Sequence, residues 1–426
     1  MRGQRVRLIS DLDVVFCSAY HKHLEPVTLT LVLDGHVDAG DLLQRLEVLA
    51  SVEKLRMKVD RVLGYAVWRE EDPFCFRDHL EFLDDAVVSS EGDLDRILQS
   101  STREKFPEER SPWRILVIPF QGNARTALIF QVHHVISDAY GMVRAMLEPI
   151  LDQAVPPESR RENATMNGWT RWTSFLAGIL MFDTIENFTS PLPKNVRANL
   201  KVMAERTMEG VVSHSPGFPL KMLKDVRSQM ACTVNDVFTA AVYHGLQARF
   251  RKGIMAVTLR RKSDGDLGNQ SSQAWMTFDG IPSDPQKSLV RFQAMNRVAK
   301  EGLGVHSLAI GTRIFNGLLP VRLCKYLMYT TVEPDYMTSN VDLTYLGRGL
   351  SIRDHKILSA YFVSPALQML GRGVMLTTFE DEARISVRAN RDLVRGGRVE
   401  VEDALKRMLQ WMQDARDLQG EIKCQG

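Results

Sequence analysis

The chain has 426 residues, with 54 basic and 52 acidic side chains, a formal net charge of +2 and 44% hydrophobic residues. That composition is ordinary for a folded soluble protein and excludes wholesale disorder, and the balanced charge leaves no electrostatic footprint for nucleic acid. Five scattered cysteines, Cys17, Cys75, Cys232, Cys324 and Cys424, form no CxxC pair, so neither a disulfide framework nor a zinc knuckle is expected.

The opening MRGQRVRLISDLD is basic without the apolar core of a signal peptide. The longest apolar run, residues 175–182, is far short of the roughly 20 residues that cross a bilayer. These features predict a soluble cytoplasmic protein from a reducing compartment. Residues 27–33 are β-branched and apolar and stop at Asp34-Gly35, a strand and a turn. Leu42, Leu43, Leu46, Leu49 and Ala50 then fall at helical spacing, with Asp41 as the expected N-cap. Residues 114–120 and 126–133 predict two strands joined by a short polar link, and Met142, Val143, Met146, Leu147 and Ile150 return to helical spacing.

Between about 153 and 200 the pair Pro156-Pro157, a charged run and Pro191 with Pro193 bracket a tryptophan-bearing stretch. It predicts a crossover of 166–200 between an N-terminal subdomain of 1–165 and a C-terminal one of 201–426. Trp169, Trp172 and the run 175–182, with Arg160, Arg161 and Arg171 nearby, suit a crossover helix packed on the core. The alternative is an interfacial foot making a peripheral membrane contact. In the second half a helix is expected to open at Thr233, whose hydroxyl can cap the amides ahead of Asp236. Strands are expected at 254–259, 274–278, 374–379 and 385–389, and a closing amphipathic helix places Ala404, Leu405, Met408, Leu409, Met412 and Ala415 on one face. Strands and helices mix in both halves, so the class is α/β or α+β in two subdomains.

The segment richest in chemistry is Phe130-Gln131-Val132-His133-His134-Val135-Ile136-Ser137-Asp138. Successive strand side chains point to opposite faces, so one of the two histidines faces any given cleft. Histidine suits general-base work, because its ordinary pKa near 6.5 lets it take and return a proton around neutrality. Asp138 can orient that imidazole or pin the loop through an arginine. A structural histidine pair and a metal site are the alternatives, although neither HExxH nor another zinc spacing is present.

Other fragments fall in order around this one. Ile9-Ser10-Asp11-Leu12-Asp13 is similar to an "SPLD" opening, and Ser111-Pro112-Trp113-Arg114 to a "PLWR" strand start. Val234-Asn235-Asp236-Val237 is similar to "VNDV", and Val257-Thr258-Leu259-Arg260 with Leu267-Gly268-Asn269-Gln270 to "VSLR…LGN". Ser339-Asn340-Val341 falls where an "SN" crossover is expected, and Asn390-Arg391-Asp392-Leu393-Val394 is similar to a closing "D…LV". Together with HHxxxD, the set resembles the chloramphenicol-acetyltransferase-like superfamily, nearest in flavour to its wax ester synthase/diacylglycerol acyltransferases and polyketide-associated acyltransferases. Nonribosomal peptide condensation domains are further relatives.

The resemblance implies two subdomains with mixed sheets flanked by helices and an active-site tunnel at their interface. It implies an acyltransferase that moves an acyl group from a thioester to a small-molecule alcohol or amine, with His134 as general base and no covalent acyl-enzyme. No GxSxG elbow surrounds any serine, in keeping with that. Asp138 would be structural, held by Arg260, and His133 would pack and position the loop. Asn235 and Asp236 would brace the two halves, and backbone amides near Gly141 with the Ser339 hydroxyl would be oxyanion candidates. The donor would be acyl-CoA or a phosphopantetheine-linked thioester on an acyl carrier protein, with no bound cofactor and no metal.

The chain departs from the family at one point. Glycine usually follows the aspartate, whereas Ala139 stands here, with Tyr140 and Gly141 after it. A methyl group there would narrow the channel beside the histidine, changing the substrate or abolishing catalysis. The rivals are therefore a free-standing condensation enzyme using carrier-protein thioesters and a catalytically silent acyl- or carrier-binding scaffold.

Overall fold

The computed structural model describes residues 6–9, 13–17, 26–84, 88–101, 104, 106–160, 173, 210–247, 252–301, 305, 320, 336–365, 371–391 and 394–424. The expected crossover 166–200, with Trp169, Trp172, Arg171 and the run 175–182, lies almost wholly outside them, as do Arg161, His306, Asp392 and Leu393. No helix among the described residues is long and apolar enough to cross a membrane.

Two large sheets carry the fold. The first runs Ser351–Ile352, His355–Val363, Val27–Asp34, Arg125–Val132, Trp113–Pro119, Leu80–Phe82. Its pairings are antiparallel except for the last, which is parallel. The low polarity of 27–33 has a physical reason: both faces of this sheet are covered, so every residue of the run, Thr28 and Thr30 included, is buried. Leu29, Leu31, Leu128 and Phe130 enter one core, while Val32, Ala127 and Ile129 enter a second on the opposite face. Helix Ala39–Leu46 begins earlier than expected, because Asp38 is its cap and accepts from the amides of Gly40 and Asp41 at 2.8 and 3.0 Å.

The second sheet runs Ser271–Thr277, Lys252–Thr258, Tyr336–Asp342, Arg372–Phe379, Glu382–Asn390, Gly210–His214. It is mixed: Tyr336–Asp342 is parallel to both its neighbours and the other pairings are antiparallel. Helix Val234–Gly245 opens with the expected capping box of Thr233 and Asp236. With Leu220–Gln229, Pro285–Glu301 and Gly397–Cys424 it buries a core that includes Phe238, Ala241, Phe292, Leu376, Ile385, Met408 and Met412. This is an α/β molecule of two mixed sheets flanked by helices.

The halves interlock. Strand His355–Val363, late in sequence, lies in the first sheet against Val27–Asp34, whereas the strand after it, Arg372–Phe379, lies in the second. The sheets are stitched at that seam, where the Phe362 amide donates to Thr377 Oγ1 at 3.0 Å and Ser386 Oγ donates to the Phe362 carbonyl at 2.6 Å.

Candidate active site

Strand Arg125–Val132 delivers the histidine pair. It ends at Val132, the His133 amide still bonds to Pro112 O at 2.9 Å, and a turn closes with the Ile136 amide on His133 O at 2.9 Å. The chain then re-enters helical conformation at Ala139–Met142, capped by Asp138, whose carboxylate accepts from the Gly141 amide at 2.9 Å. The two rings have different neighbours: His133 meets Phe106 edge-on and His134 stacks on Phe16. His133 is buried, and its Nδ1 accepts from the Val135 amide at 3.1 Å. Burial, reinforced by the neighbouring His134, pushes its pKa down to about 3, so it stays neutral.

His134 is half-buried, its ring stacked on Phe16 with centroids 3.8 Å apart and planes 4° from parallel. Nδ1 lies 2.7 Å from Asn269 Oδ1. The orientation of that amide follows from its other bonds: Asn269 Nδ2 donates to Asp13 Oδ1 at 2.7 Å and to the His134 carbonyl at 2.6 Å. Its oxygen therefore faces the ring, and Nδ1 must carry the proton. Nε2 keeps its lone pair and has no hydrogen-bond partner among the described residues. Burial lowers the His134 pKa below its ordinary value, and the opposing effects of Asp138, of a hydrogen bond to its own backbone, of Asn269 and of Asp13 offset it only in part.

Asp138 makes no hydrogen bond to the imidazole. Its carboxylate accepts from Arg260 Nε at 3.1 Å, the Gln270 amide at 2.8 Å and Ser271 Oγ at 2.9 Å, besides the Gly141 amide. Burial alone would raise its pKa, but the Arg260 charge and these donors outweigh it and hold the group ionised below the ordinary carboxylate range. Arg260 is 1% exposed and spends its other nitrogens on the carbonyls of Asp266 and Gly268. The loop after strand Lys252–Thr258, with Ser271 at the start of the next strand, thus grips Asp138 through residues 260, 270 and 271 and the catalytic-base candidate through residue 269.

The remaining candidates are placed as follows. Ala139 and Tyr140 are half-buried against the first core, and the Tyr140 hydroxyl accepts from the Asp342 amide at 3.0 Å, bridging the HHxxxD helix to the second sheet. Ser339 is half-buried on that same strand, Tyr336–Asp342. Of the backbone amides near Gly141 expected to face an oxyanion, that of Gly141 itself donates to Asp138. What Gly141 supplies is space: a Cβ there would run into Ser137 Oγ and the Arg260 guanidinium. Gly141→Ala is expected to lower the melting temperature, at a cost of about 1–3 kcal/mol for overpacking; a melt unchanged from the parent would contradict this packing.

The expectation that Asn235 and Asp236 join the halves needs correction. Asp236 accepts from the Thr233 amide at 2.8 Å and from Asn296 Nδ2 at 2.7 Å, and Asn235 Nδ2 points at Met255 Sδ, 2.7 Å away. Both therefore brace the second subdomain internally. Asn269, Asp13 and Phe16 contact the base or its partner without having stood out in the sequence. Asn269 and Asp13 lay inside fragments similar to the family, but an isolated Asn or Asp there carries no chemistry of its own.

No family model matches the chain. A protein of Mycobacterium tuberculosis (strain ATCC 25618 / H37Rv) named "Probable diacyglycerol O-acyltransferase" is 20% identical over 392 residues, 82% of each chain. Among solved structures, the wax ester synthase/diacylglycerol acyltransferase from Marinobacter aquaeolei VT8 superposes with a TM-score of 0.61 at 17% identity, covering 95% of this chain and 98% of that one. The first condensation domain of the CDA synthetase gives 0.62 at 16% identity, covering 97% of each. The chain thus has the fold shared by this acyltransferase and this condensation domain. In sequence the chain is similar to a protein named as a diacylglycerol O-acyltransferase, and in fold it is as similar to the condensation domain as to the wax ester synthase/diacylglycerol acyltransferase.

Proposed function

We propose that the protein is an acyltransferase that moves an acyl group from coenzyme A to the hydroxyl of a lipid alcohol or diacylglycerol, with His134 as general base. The observation that carries this reading is the setting of His134, with Nδ1 anchored on Asn269 and Nε2 without a hydrogen-bond partner among the described residues. Nε2 takes the proton of the acceptor O–H as the oxygen attacks the thioester carbonyl. The tetrahedral intermediate collapses, the C–S bond breaks, and the imidazolium returns its proton to the departing thiolate. Ester and free thiol result, with no acyl-enzyme between them. Ser339 stays a candidate for contact with the oxyanion, and Tyr140 and Ala139 for shaping the channel. The choice of lipid acceptor follows the names of the similar proteins.

The test is free-thiol release from acetyl- and palmitoyl-CoA, each with hexadecanol, dioleoylglycerol or an alkylamine. Acceptor-dependent release with an alcohol supports the reading. Release only from a thioester loaded on a carrier protein would move the chain to the condensation enzymes, and release from neither would leave a binding scaffold. The pH profile has a definite sign. The base must be neutral to act and burial lowers its pKa, so the rate should rise with pH through a pKa below 6.5. An acid limb centred above 6.5 would contradict the burial of His134.

A further inference from the structure

We propose that Asn269, held in turn by Asp13 and Lys54, is the positioning residue that decides which nitrogen of His134 is free to act. This rests on His134 being the base. An isolated neutral imidazole can place its proton on either nitrogen, and only the form with Nδ1–H presents Nε2 as an acceptor. Asn269 selects that form because its Oδ1 can only accept, and it cannot turn over. Both hydrogens of Nδ2 are committed, to Asp13 Oδ1 and the His134 carbonyl. Asp13 Oδ1 also accepts from the Asn269 backbone amide at 3.0 Å, so backbone and side chain are gripped by one carboxylate oxygen. The other oxygen meets Lys54 Nζ at 2.7 Å, and that ammonium also lies over the Trp68 ring, 5.2 Å from its centroid.

The relay brings residues 13 and 54 of the first half onto residue 269 of the second, so the base is fixed only when both halves are in place. A neutral amide, where other triads use a carboxylate, adds no full charge to stabilise the imidazolium. The ionisable groups around the ring are Asp13 with Lys54 on the Asn269 side, the paired Asp138 and Arg260, and the neutral His133.

The experiment reads the tautomer directly. In protein labelled with 15N-histidine, the His134 signal is identified by its loss in H134A. The parent should show a protonated Nδ1 and a pyridine-type Nε2. Asn269→Leu removes the acceptor at similar size and should shift the ring toward Nε2–H, lowering kcat about 10²-fold or more with the donor KM little changed. The paired D13N/N269D exchange conserves charge, keeps an acceptor facing Nδ1 and keeps a side-chain bond between 13 and 269, while giving up the donor that Asn269 Nδ2 presents to the His134 carbonyl. Relative to Asn269→Leu it should recover Nδ1–H and part of kcat, and move the acid limb to higher pH because a carboxylate then faces the ring. Retention of Nδ1–H or of parental kcat in Asn269→Leu would overturn the proposal. A folded exchange variant that recovers neither would do the same. If the parent releases no thiol at all, the acyltransferase reading fails, while the spectrum still reports whether Asn269 sets the tautomer.

Discussion

Replacing His134 with alanine is expected to lower acceptor-dependent thiol release about 10²–10⁴-fold, the range that general acid–base catalysis supplies. The fold should tolerate the change. The ring is half-buried at the end of a strand, and its loss removes one stacking contact with Phe16 and one hydrogen bond to Asn269. Such a bond contributes about 1 kcal/mol net. Asn269 stays anchored through Nδ2 to Asp13 and to a main-chain carbonyl that alanine retains. A large loss of rate with a near-parental melt therefore distinguishes a chemical role from a packing one. His134→Ala turning over like the parent would leave the acyltransferase mechanism without its base and favour a silent scaffold.

For Asp138→Ala the expected order is reversed, with stability lost first. Arg260 would remain 1% exposed with its counter-charge gone, and the amides of Gly141 and Gln270 and the Ser271 hydroxyl would lose their common acceptor. Breaking one side of a buried ion pair costs about 3–5 kcal/mol, a large share of a typical stability of about 5–15 kcal/mol. Activity should fall with it, since the loop that releases Asp138 also carries Asn269. The pH dependence follows the same linkage. The folded pKa of Asp138 lies below its unfolded value near 3.9, so its contribution is full above that value and lost as pH falls through the folded one. Urea unfolding of parent and variant at neutral pH measures the difference; coincident curves would show that the pair contributes nothing net.

Much of this was legible from residue order, for physical reasons that differ by element. The strand 27–33 and the helix at Thr233 announce themselves because local chemistry, β-branching in one and a capping box in the other, agrees with the final packing. The HHxxxD segment was legible because two histidines at a strand end are rare. Strand His355–Val363 was not, because HKILSAYFV is short and apolar, and periodicity cannot separate a buried strand from a buried helix in such a run. Its partner Val27–Asp34 lies more than three hundred residues earlier, a pairing no local pattern encodes. The bracing of Asn235 and Asp236 was misassigned for a related reason. "VNDV" marks a helix start, and which helix packs against that start, here Pro285–Glu301 through Asn296, is decided by tertiary structure. Asn269 acquires meaning only once its loop is laid against the histidine.

Strand His355–Val363 also bears on how the chain could be divided. Cutting the chain between residues 160 and 210 would leave the second sheet whole in the later fragment but take Ser351–Ile352 and His355–Val363 away from the first. The first would expose Val27–Asp34 as a long, flat, apolar edge, the kind of surface that templates aggregation. The second would carry a strand with no sheet of its own to join. Gene fusion, fission or domain shuffling at that point would thus meet a penalty absent from beads-on-a-string proteins. The lineage is constrained to inherit both halves as one indivisible unit, however far their surfaces diverge.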